Sequence, residues 1–413
     1  MRDSYTYLII GGGIAGVGAA EAIRSRDRDG TIAILSAEPY RLYYRVLLPR
    51  YVRGEIERDR MFLRKEGDYQ KERIDFLPNT KVLFVNTEKA EVGLSDHKTI
   101  GYKKLLIASG GDIAPSNLDG YDEYVYRLQT LDDADRLRER FRAKKFEFPI
   151  VIGGSFIALE FLSLCAAYNV KARVLFRSKH FFSRIAGPHG GEFMRRLFMD
   201  HGFEVIAEDE VEDAAEGEGY LHITTRRLGA YDHDAVFSAV GLKRNSDFLA
   251  GTKVELGTGV KTNEFLETAA PAVFAAGDVA EYFDPLFEKH RIVGNWANAF
   301  LQGKLAGLNM TGDHLALRVV SSYSTTHFGH AISALGDCSD TDGSFEKADF
   351  QKSTYERYFF QKDRLIGAVL INRNDVRAHA ARLIETRSPL GEYRRAFGHA
   401  AFDIHKIPVV ESI

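Results

Sequence analysis

Two stretches of this chain carry the same order of apolar, small and helix-forming positions. The first is Tyr7-Leu8-Ile9-Ile10, then Gly11-Gly12-Gly13-Ile14-Ala15-Gly16, then a helix-compatible run over residues 17–24. The second is Phe148-Pro149-Ile150-Val151-Ile152, then Gly153-Gly154-Ser155-Phe156-Ile157-Ala158-Leu159-Glu160. A short apolar run bounded by glycine predicts a strand buried on both faces, as in a parallel sheet. Residues 31–35, 172–176 and 235–241 read as further buried strands. The C-terminal part differs: residues 355–360 and 365–372 flank Gln361-Lys362-Asp363-Arg364 and predict a hairpin, with a helix over 375–386 behind it. The acidic stretch 208–218 predicts a solvated loop or hairpin. No apolar run approaches the roughly 20 residues that a membrane-spanning helix needs. A strand starting near Tyr5 leaves no room for a signal peptide, so the cytoplasm is the expected location.

The strand–glycine–helix order has a chemical meaning. Glycines permit a tight turn, close approach of backbone to a pyrophosphate, and close packing of helix on strand. Phosphates then sit at the helix N-terminus, where free N–H groups and the dipole favour negative charge. At the first turn Gly11, Gly13, Ile14, Ala15 and Gly16 are the candidates; Glu38, after the next strand, is placed to accept from a ribose hydroxyl. At the second turn the candidates are Gly153, Ser155, Phe156 and Ile157, with Ser155 in the second glycine position and Ala158 in the third. The serine adds a Cβ where backbone would meet phosphate, whereas alanine in third place is an accepted variant. Beyond the strand at 172–176 come Arg177-Ser178-Lys179 and then Arg184. An acid there suits NADH, and arginine suits the 2′-phosphate of NADPH, which is therefore favoured; the same charges also fit a plain solvated surface.

Composition narrows the field. A chain of 413 residues predicts two or three domains, and 45% hydrophobic with 27% charged residues is ordinary for a globular protein. A formal charge of −3 argues against nucleic acid and against an acidic membrane as partners. The two cysteines, Cys165 and Cys338, form no CxxC or CxxxxC pair and cannot build a thiolate zinc site. Cys165, inside Phe161-Leu162-Ser163-Leu164-Cys165-Ala166-Ala167, reads as a small buried hydrophobe. HExxH, P-loop and GxSxG patterns are absent, and the histidines, His180, His189 and His201 included, have no metal-ligand spacing.

Four more segments carry a family likeness. They are Leu105-Leu106-Ile107-Ala108-Ser109-Gly110-Gly111, Ala275-Ala276-Gly277-Asp278, Asn295-Trp296-Ala297-Asn298-Ala299 with Gln302-Gly303, and Pro39-Tyr40-Arg41-Leu42-Tyr43-Tyr44-Arg45-Val46-Leu47-Leu48-Pro49-Arg50. With the two turns they resemble the FAD-dependent pyridine nucleotide oxidoreductases, in particular rubredoxin and ferredoxin reductases, related NADH oxidases and the flavin-bearing part of assimilatory nitrite reductases. The resemblance implies that Ala108, Ser109 and Gly110 mark the crossing from the FAD domain to the NAD(P)H domain. It implies that Gly277 and Asp278 hold the ribitol, and that the helix at Trp296 and Ala297 starts beneath the flavin. It places Arg45 and Arg50 among the FAD contacts and Gly241 among those of NAD(P)H. Arg50 stands where the family has a lysine paired with the glutamate matching Glu160, so an Arg50–Glu160 pair near the flavin N5 is expected. Glu160 also reads as a first-turn helix acid stabilised by the dipole. The family's disulfide reductases carry a cysteine pair near residues 39–51, and this chain has none there.

The implied fold is α/β: two Rossmann-like three-layer domains, the second inserted in the first, plus a C-terminal α+β interface domain. The expected boundaries are 1–113 and 243–313 for FAD, 114–242 for NAD(P)H, and 314–413 for the C-terminal domain, which in the family supports a homodimer. The expected activity is FAD-dependent electron transfer from NAD(P)H to a small acidic redox protein of rubredoxin or ferredoxin type. Arg41 to Lys65 hold eight basic residues against three acids, a candidate docking face or a set of locally neutralised arginines. The alternatives are an NAD(P)H oxidase or flavin subunit of a nitrite-type reductase, and a non-catalytic NAD(P)H-responsive flavoprotein like apoptosis-inducing factor.

Overall fold

The run Tyr7-Leu8-Ile9-Ile10 closes a strand, Ser4–Ile10, that has neighbours on both sides. In this computed structural model, which describes residues 2–339, 342–399 and 402–410, that strand lies between Ile32–Leu35 and Thr99–Ile107 in parallel register. Residues 1 and 411–413, the outer ends of the predicted 1–113 and 314–413 segments, lie outside the described residues. Ile74–Leu77 extends one side of the sheet, and Val273–Ala275 pairs in parallel with the C-terminal half of Thr99–Ile107. The N-terminal half of that long strand takes the antiparallel hairpin of Val82–Asn86 and Glu91–Leu94 instead. Burial on both faces explains the unbroken apolar runs. Ile9, Ile34 and Leu106 pack under two helices, while Leu8, Leu35 and Leu105 face a second core with Val85, Val92 and Val279.

The two helices over this sheet, Ile14–Arg26 and Trp296–Met310, approach so closely that only glycine fits at their contact. A Cβ on Gly303 would collide with the carbonyl of Ala15, and one on Gly307 with the carbonyl of Ala19.

By the density of internal contacts the chain divides into two units. One is Met1–Val46, Glu57–Asp112 and Leu242–Val319; the other is Leu47–Ile56, Ile113–Gly241 and Val320–Ile413. The second unit repeats the architecture of the first. Its parallel sheet runs Glu204–Ala207, Arg173–Phe176, Ile150–Ile152, Val236–Ser238, Val125–Tyr126, with helix Phe156–Ala167 after the central strand. The acidic stretch is the first strand of a three-stranded antiparallel meander, Val211–Glu216, Leu221–Thr225 and Gly229–His233. The predicted C-terminal hairpin is Thr354–Gln361 with Arg364–Ile371, inside a five-stranded antiparallel sheet beside helix Asn374–Glu385.

The predicted boundaries differ from this division chiefly in two respects, beside the first unit's extension to Val319. The C-terminal segment shares a unit with the inserted one, and residues 47–56 belong there too. The second difference has a clear cause: the Tyr51 hydroxyl donates to Asp135 at 2.5 Å, and the Tyr168 hydroxyl donates to the Val52 carbonyl at 2.7 Å. Among the described residues, no helix is long and apolar enough to cross a membrane.

The glycine contact yields a stability test. Gly303→Ala should lower the unfolding free energy by about 1–3 kcal/mol, because an extra carbon must push apart two backbones already in contact. Urea unfolding of the apoprotein measures it, and an unchanged midpoint would contradict the packing described.

Candidate functional site

The two strand-to-helix turns are built alike, bond for bond. Gly11 N–H donates to the Leu35 carbonyl at 2.8 Å, and Gly153 N–H donates to the Leu175 carbonyl at 2.8 Å. Gly11 has φ +119° and Gly153 φ +130°, a region costly for residues with a Cβ. In each case a Cβ would strike a carbonyl of the neighbouring strand's end, that of Ala108 at the first turn and that of Ala239 at the second. At the third position the turns part: a Cβ on Gly16 would hit the Gly11 carbonyl, whereas Ala158 is accommodated and fully buried.

Gly13 is different from Gly11 and Gly16. Nothing lies within 4 Å of where its Cβ would stand, and its φ of −76° is open to any residue. Packing within the described residues gives no reason for glycine there; a ligand lying against the backbone does. Gly13 is also the N-cap of its helix with no side-chain capping bond, and the first turn carries no acid. The helix start is thus left for an anion. Ser155 is the counterpart N-cap in the second turn; it too makes no capping bond, and its hydroxyl reaches only the Ala239 carbonyl at 3.5 Å.

Around the first turn the other predicted residues fall within one unit. Glu38 accepts from the Tyr43 hydroxyl at 2.7 Å and from Arg45 at 2.6 Å, which still leaves lone pairs for a ribose. Ser109 donates to the Asn245 carbonyl at 2.6 Å, and Asn245 N–H donates to the Gly110 carbonyl at 3.0 Å, tying the departing and returning segments together. Gly277, with φ +82°, donates its N–H to Gln302 Oε1 at 2.8 Å. Burial pushes the Asp278 carboxyl above the usual carboxylate range, against the pull of Arg244 and Arg45. Trp296 packs against the core and lies 6.1 Å from the Tyr44 ring, while Ala297 is exposed. Asn295 caps that helix, accepting from Asn298 N–H at 2.9 Å.

Arg244 Nε and Gln302 Nε2 are among the buried side-chain atoms that have no hydrogen-bond partner in the described residues. A buried orphan donor costs on the order of 1–3 kcal/mol. With the open face of Gly13 and the uncapped helix, these donors fit a large polar ligand that accepts hydrogen bonds. FAD has that chemistry, in its pyrophosphate, ribitol and ring carbonyls.

At the second turn, Arg177 and Arg184 are exposed on the segment between strand Arg173–Phe176 and helix Pro188–Asp200. Phe182 fixes that segment, donating its N–H to the Gly154 carbonyl at 3.1 Å and packing its ring on Phe156. Gly241, at φ +103°, has open space where a Cβ would stand.

The Arg50–Glu160 pair is not formed. Arg50 Nε donates to Glu55 at 2.8 Å, in an exposed pair of a kind that contributes about 0–1 kcal/mol. Glu160 Oε1 instead lies 3.4 Å from His327 Nε2. Its helix begins at Phe156 and has no first-turn acid, so Glu160 sits one turn deeper than the dipole reading placed it. His327 comes from strand Ser322–His327 of the C-terminal sheet, and no motif in the sequence pointed to it. Half of the eight basic residues in the segment are ion-paired: Arg45 with Glu38, Arg50 and Arg53 with Glu55, and Arg64 with Glu21. Cys165 is fully buried, which pushes its thiol up, and Cys338 Sγ faces the Leu335 and Ala368 carbonyls. Cys165 therefore lacks the depressed pKa and the exposure of a reactive thiol.

Two Rossmann-type turns in successive parallel sheets define the class: a flavoprotein with one site for FAD and one for a nicotinamide nucleotide. The sequence profile of the pyridine nucleotide-disulphide oxidoreductases matches residues 5–303. Putidaredoxin reductase of Pseudomonas putida is 23% identical over 403 residues, 94% of this chain and 94% of that protein. NADH-rubredoxin oxidoreductase of Clostridium acetobutylicum is 25% identical over 365 residues, 88% of this chain and 90% of that protein. The crystal structure of a covalent putidaredoxin reductase–putidaredoxin complex matches with a TM-score of 0.89 at 20% identity, over 98% of each chain. The chain belongs to the pyridine nucleotide-disulphide oxidoreductase family and is an FAD-dependent NAD(P)H oxidoreductase.

Gly13 separates binding from folding. Gly13→Ala should leave the apoprotein's stability within about 1 kcal/mol, since only the N-cap residue changes. It should nonetheless weaken FAD retention, followed by release of flavin fluorescence on dilution. Equal loss of stability and flavin would show that the glycine serves packing instead.

Proposed function

We propose that this protein passes electrons from NAD(P)H to a small electron-transfer protein of rubredoxin or ferredoxin type. The observation that carries this reading is a pair of nucleotide-binding turns in a chain with no thiol pair: dithiol exchange needs two cysteines in reach. FAD, when bound, would supply the redox chemistry between the nicotinamide and the acceptor. In this reading residues 1–113 and 243–313 hold FAD and residues 114–242 hold the nicotinamide nucleotide. Gly13 and the helix start behind it take the flavin pyrophosphate, Asp278 accepts from the ribitol, and Arg244 and Gln302 donate to the groups they now lack. The positive end of the helix behind Asn295 would favour negative charge on the ring system. Glu160 orients the nicotinamide.

Two finer points belong to the same proposal. NADPH is the preferred donor, because Arg177 and Arg184 stand exposed on a pinned segment where a 2′-phosphate would lie. A homodimer, carried by the family resemblance alone, and a cytoplasmic location are further expectations of this reading.

Anaerobic stopped-flow mixing with NADH or NADPH, then with rubredoxin, ferredoxin or oxygen, tests the reading. Rapid bleaching of the flavin band by one nucleotide and rapid return with a protein acceptor are expected. Rapid return with oxygen alone would make the protein an oxidase. A long-lived reduced complex that no acceptor discharges would point to an NAD(P)H-responsive binding protein. Replacing Arg177 and Arg184 with alanine should lower kcat/KM for NADPH by roughly tenfold to a hundredfold, the worth of one charge-assisted hydrogen bond. The value for NADH should barely move, and an equal loss for both nucleotides would remove the NADPH assignment.

A further inference from the structure

Glu160 and Ser163 are three residues apart on helix Phe156–Ala167, so their side chains leave it on the same face. That face meets one imidazole. Ser163 Oγ lies 2.6 Å from His327 Nδ1; Thr325 Oγ1 lies 2.7 Å and Glu160 Oε1 3.4 Å from Nε2. The side chains of His327 and Glu160 are only 4% and 15% exposed. Water therefore does little to screen them, and the bonding pattern matters more than it would at the surface.

The pattern selects a tautomer. An ionised carboxylate only accepts hydrogen bonds, whereas serine and threonine hydroxyls can turn either way. A proton on Nδ1 would aim the Nε2 lone pair at the Glu160 carboxylate. A proton on Nε2 faces the carboxylate and lets Nδ1 accept from the Ser163 hydroxyl. With Nε2 protonated, Thr325 Oγ1 at 2.7 Å and Glu160 Oε1 at 3.4 Å both lie on its side as acceptors.

We infer that His327, locked as the Nε2–H tautomer by Ser163, is the positioning residue that aims Glu160, in the place of the arginine expected to do so. The inference rests on the proposed role of Glu160 at the nicotinamide. It differs in kind from the Arg50–Glu160 pair, because a neutral donor orients the carboxylate without cancelling its charge. Arg50, on an exposed pair with Glu55, is left free to be displaced at little cost.

Two measurements test it. Nitrogen-15 NMR of histidine-labelled protein, with His327 assigned by loss of its signals in H327Q, should show an unprotonated Nδ1 and a protonated Nε2. In E160Q the preference for Nε2–H should weaken. A protonated Nδ1 in the unaltered protein would overturn the inference. The second is a cycle of variants followed by the limiting rate of flavin reduction in a single turnover. H327L should lose on the order of tenfold to a hundredfold, as expected for a misplaced orienting group. H327Q keeps a donor and should recover most of that loss. In the E160Q background H327L should cost nothing further, and additive losses would sink the idea. If H327L does not fold, S163A removes only the partner of Nδ1 and carries the same test. Should E160Q bind nucleotide and be reduced as fast as the unaltered protein, the role of Glu160 at the nicotinamide fails. The tautomer shift in that variant still decides whether His327 and Glu160 are coupled.

Discussion

A side-chain carbon at residue 11 would run into the carbonyl oxygen of Ala108, and one at residue 153 into that of Ala239. This contact between a turn and the end of the next strand is the constraint on which the molecule depends. It brings the parallel strands together where the chain leaves the sheet, and it aims the following helix with its N–H groups outward. Because the same contact is made twice, the protein has two anion-receptive helix starts, each over the C-terminal edge of its own parallel sheet. In the first unit a second glycine contact, Gly303 on Ala15, carries the consequence to the helix Trp296–Met310. One backbone approach thus fixes the starts of both helices over this sheet.

The remainder of the site follows from charge and burial. Asp278 and Arg244 are held where water cannot satisfy them fully, one with its carboxyl pushed up by burial and the other with an orphaned Nε. Such groups are costly unless something polar meets them. Asp278 and Arg244 belong to the unit that also holds the open face of Gly13. The sequence lacks the cysteines that would let a neighbouring thiol share the electrons. Directing the reaction then falls to position and charge, the role proposed above for Glu160.

Much of this was legible along the chain. Two buried strands followed by small residues and a helix can hardly be read otherwise, because burial on both faces enforces continuous apolar runs and the turn admits only glycine at its first position. The duplication, the parallel sheets and the C-terminal hairpin are visible for the same reason: each is a local pattern of period and size. Ser155 and Ala158 were legible as departures, since only the positions that touch another backbone insist on glycine.

What the sequence could not decide were the pairings across distance. Arg50 had two acids available to it, Glu55 five residues away and Glu160 far along the chain, and a flexible side chain takes the near one at little cost. His327 carries no motif; it meets Glu160 only because the C-terminal sheet and the nucleotide-binding sheet share a unit. Residues 47–56 join that unit through two tyrosine hydroxyls whose partners no spacing rule would supply. The sequence by itself determined the two glycine turns and the lack of a closely spaced cysteine pair, because both depend on residue type at fixed local spacing. The tertiary structure alone decided which base holds Glu160, because that depends on which remote strand the helix face meets.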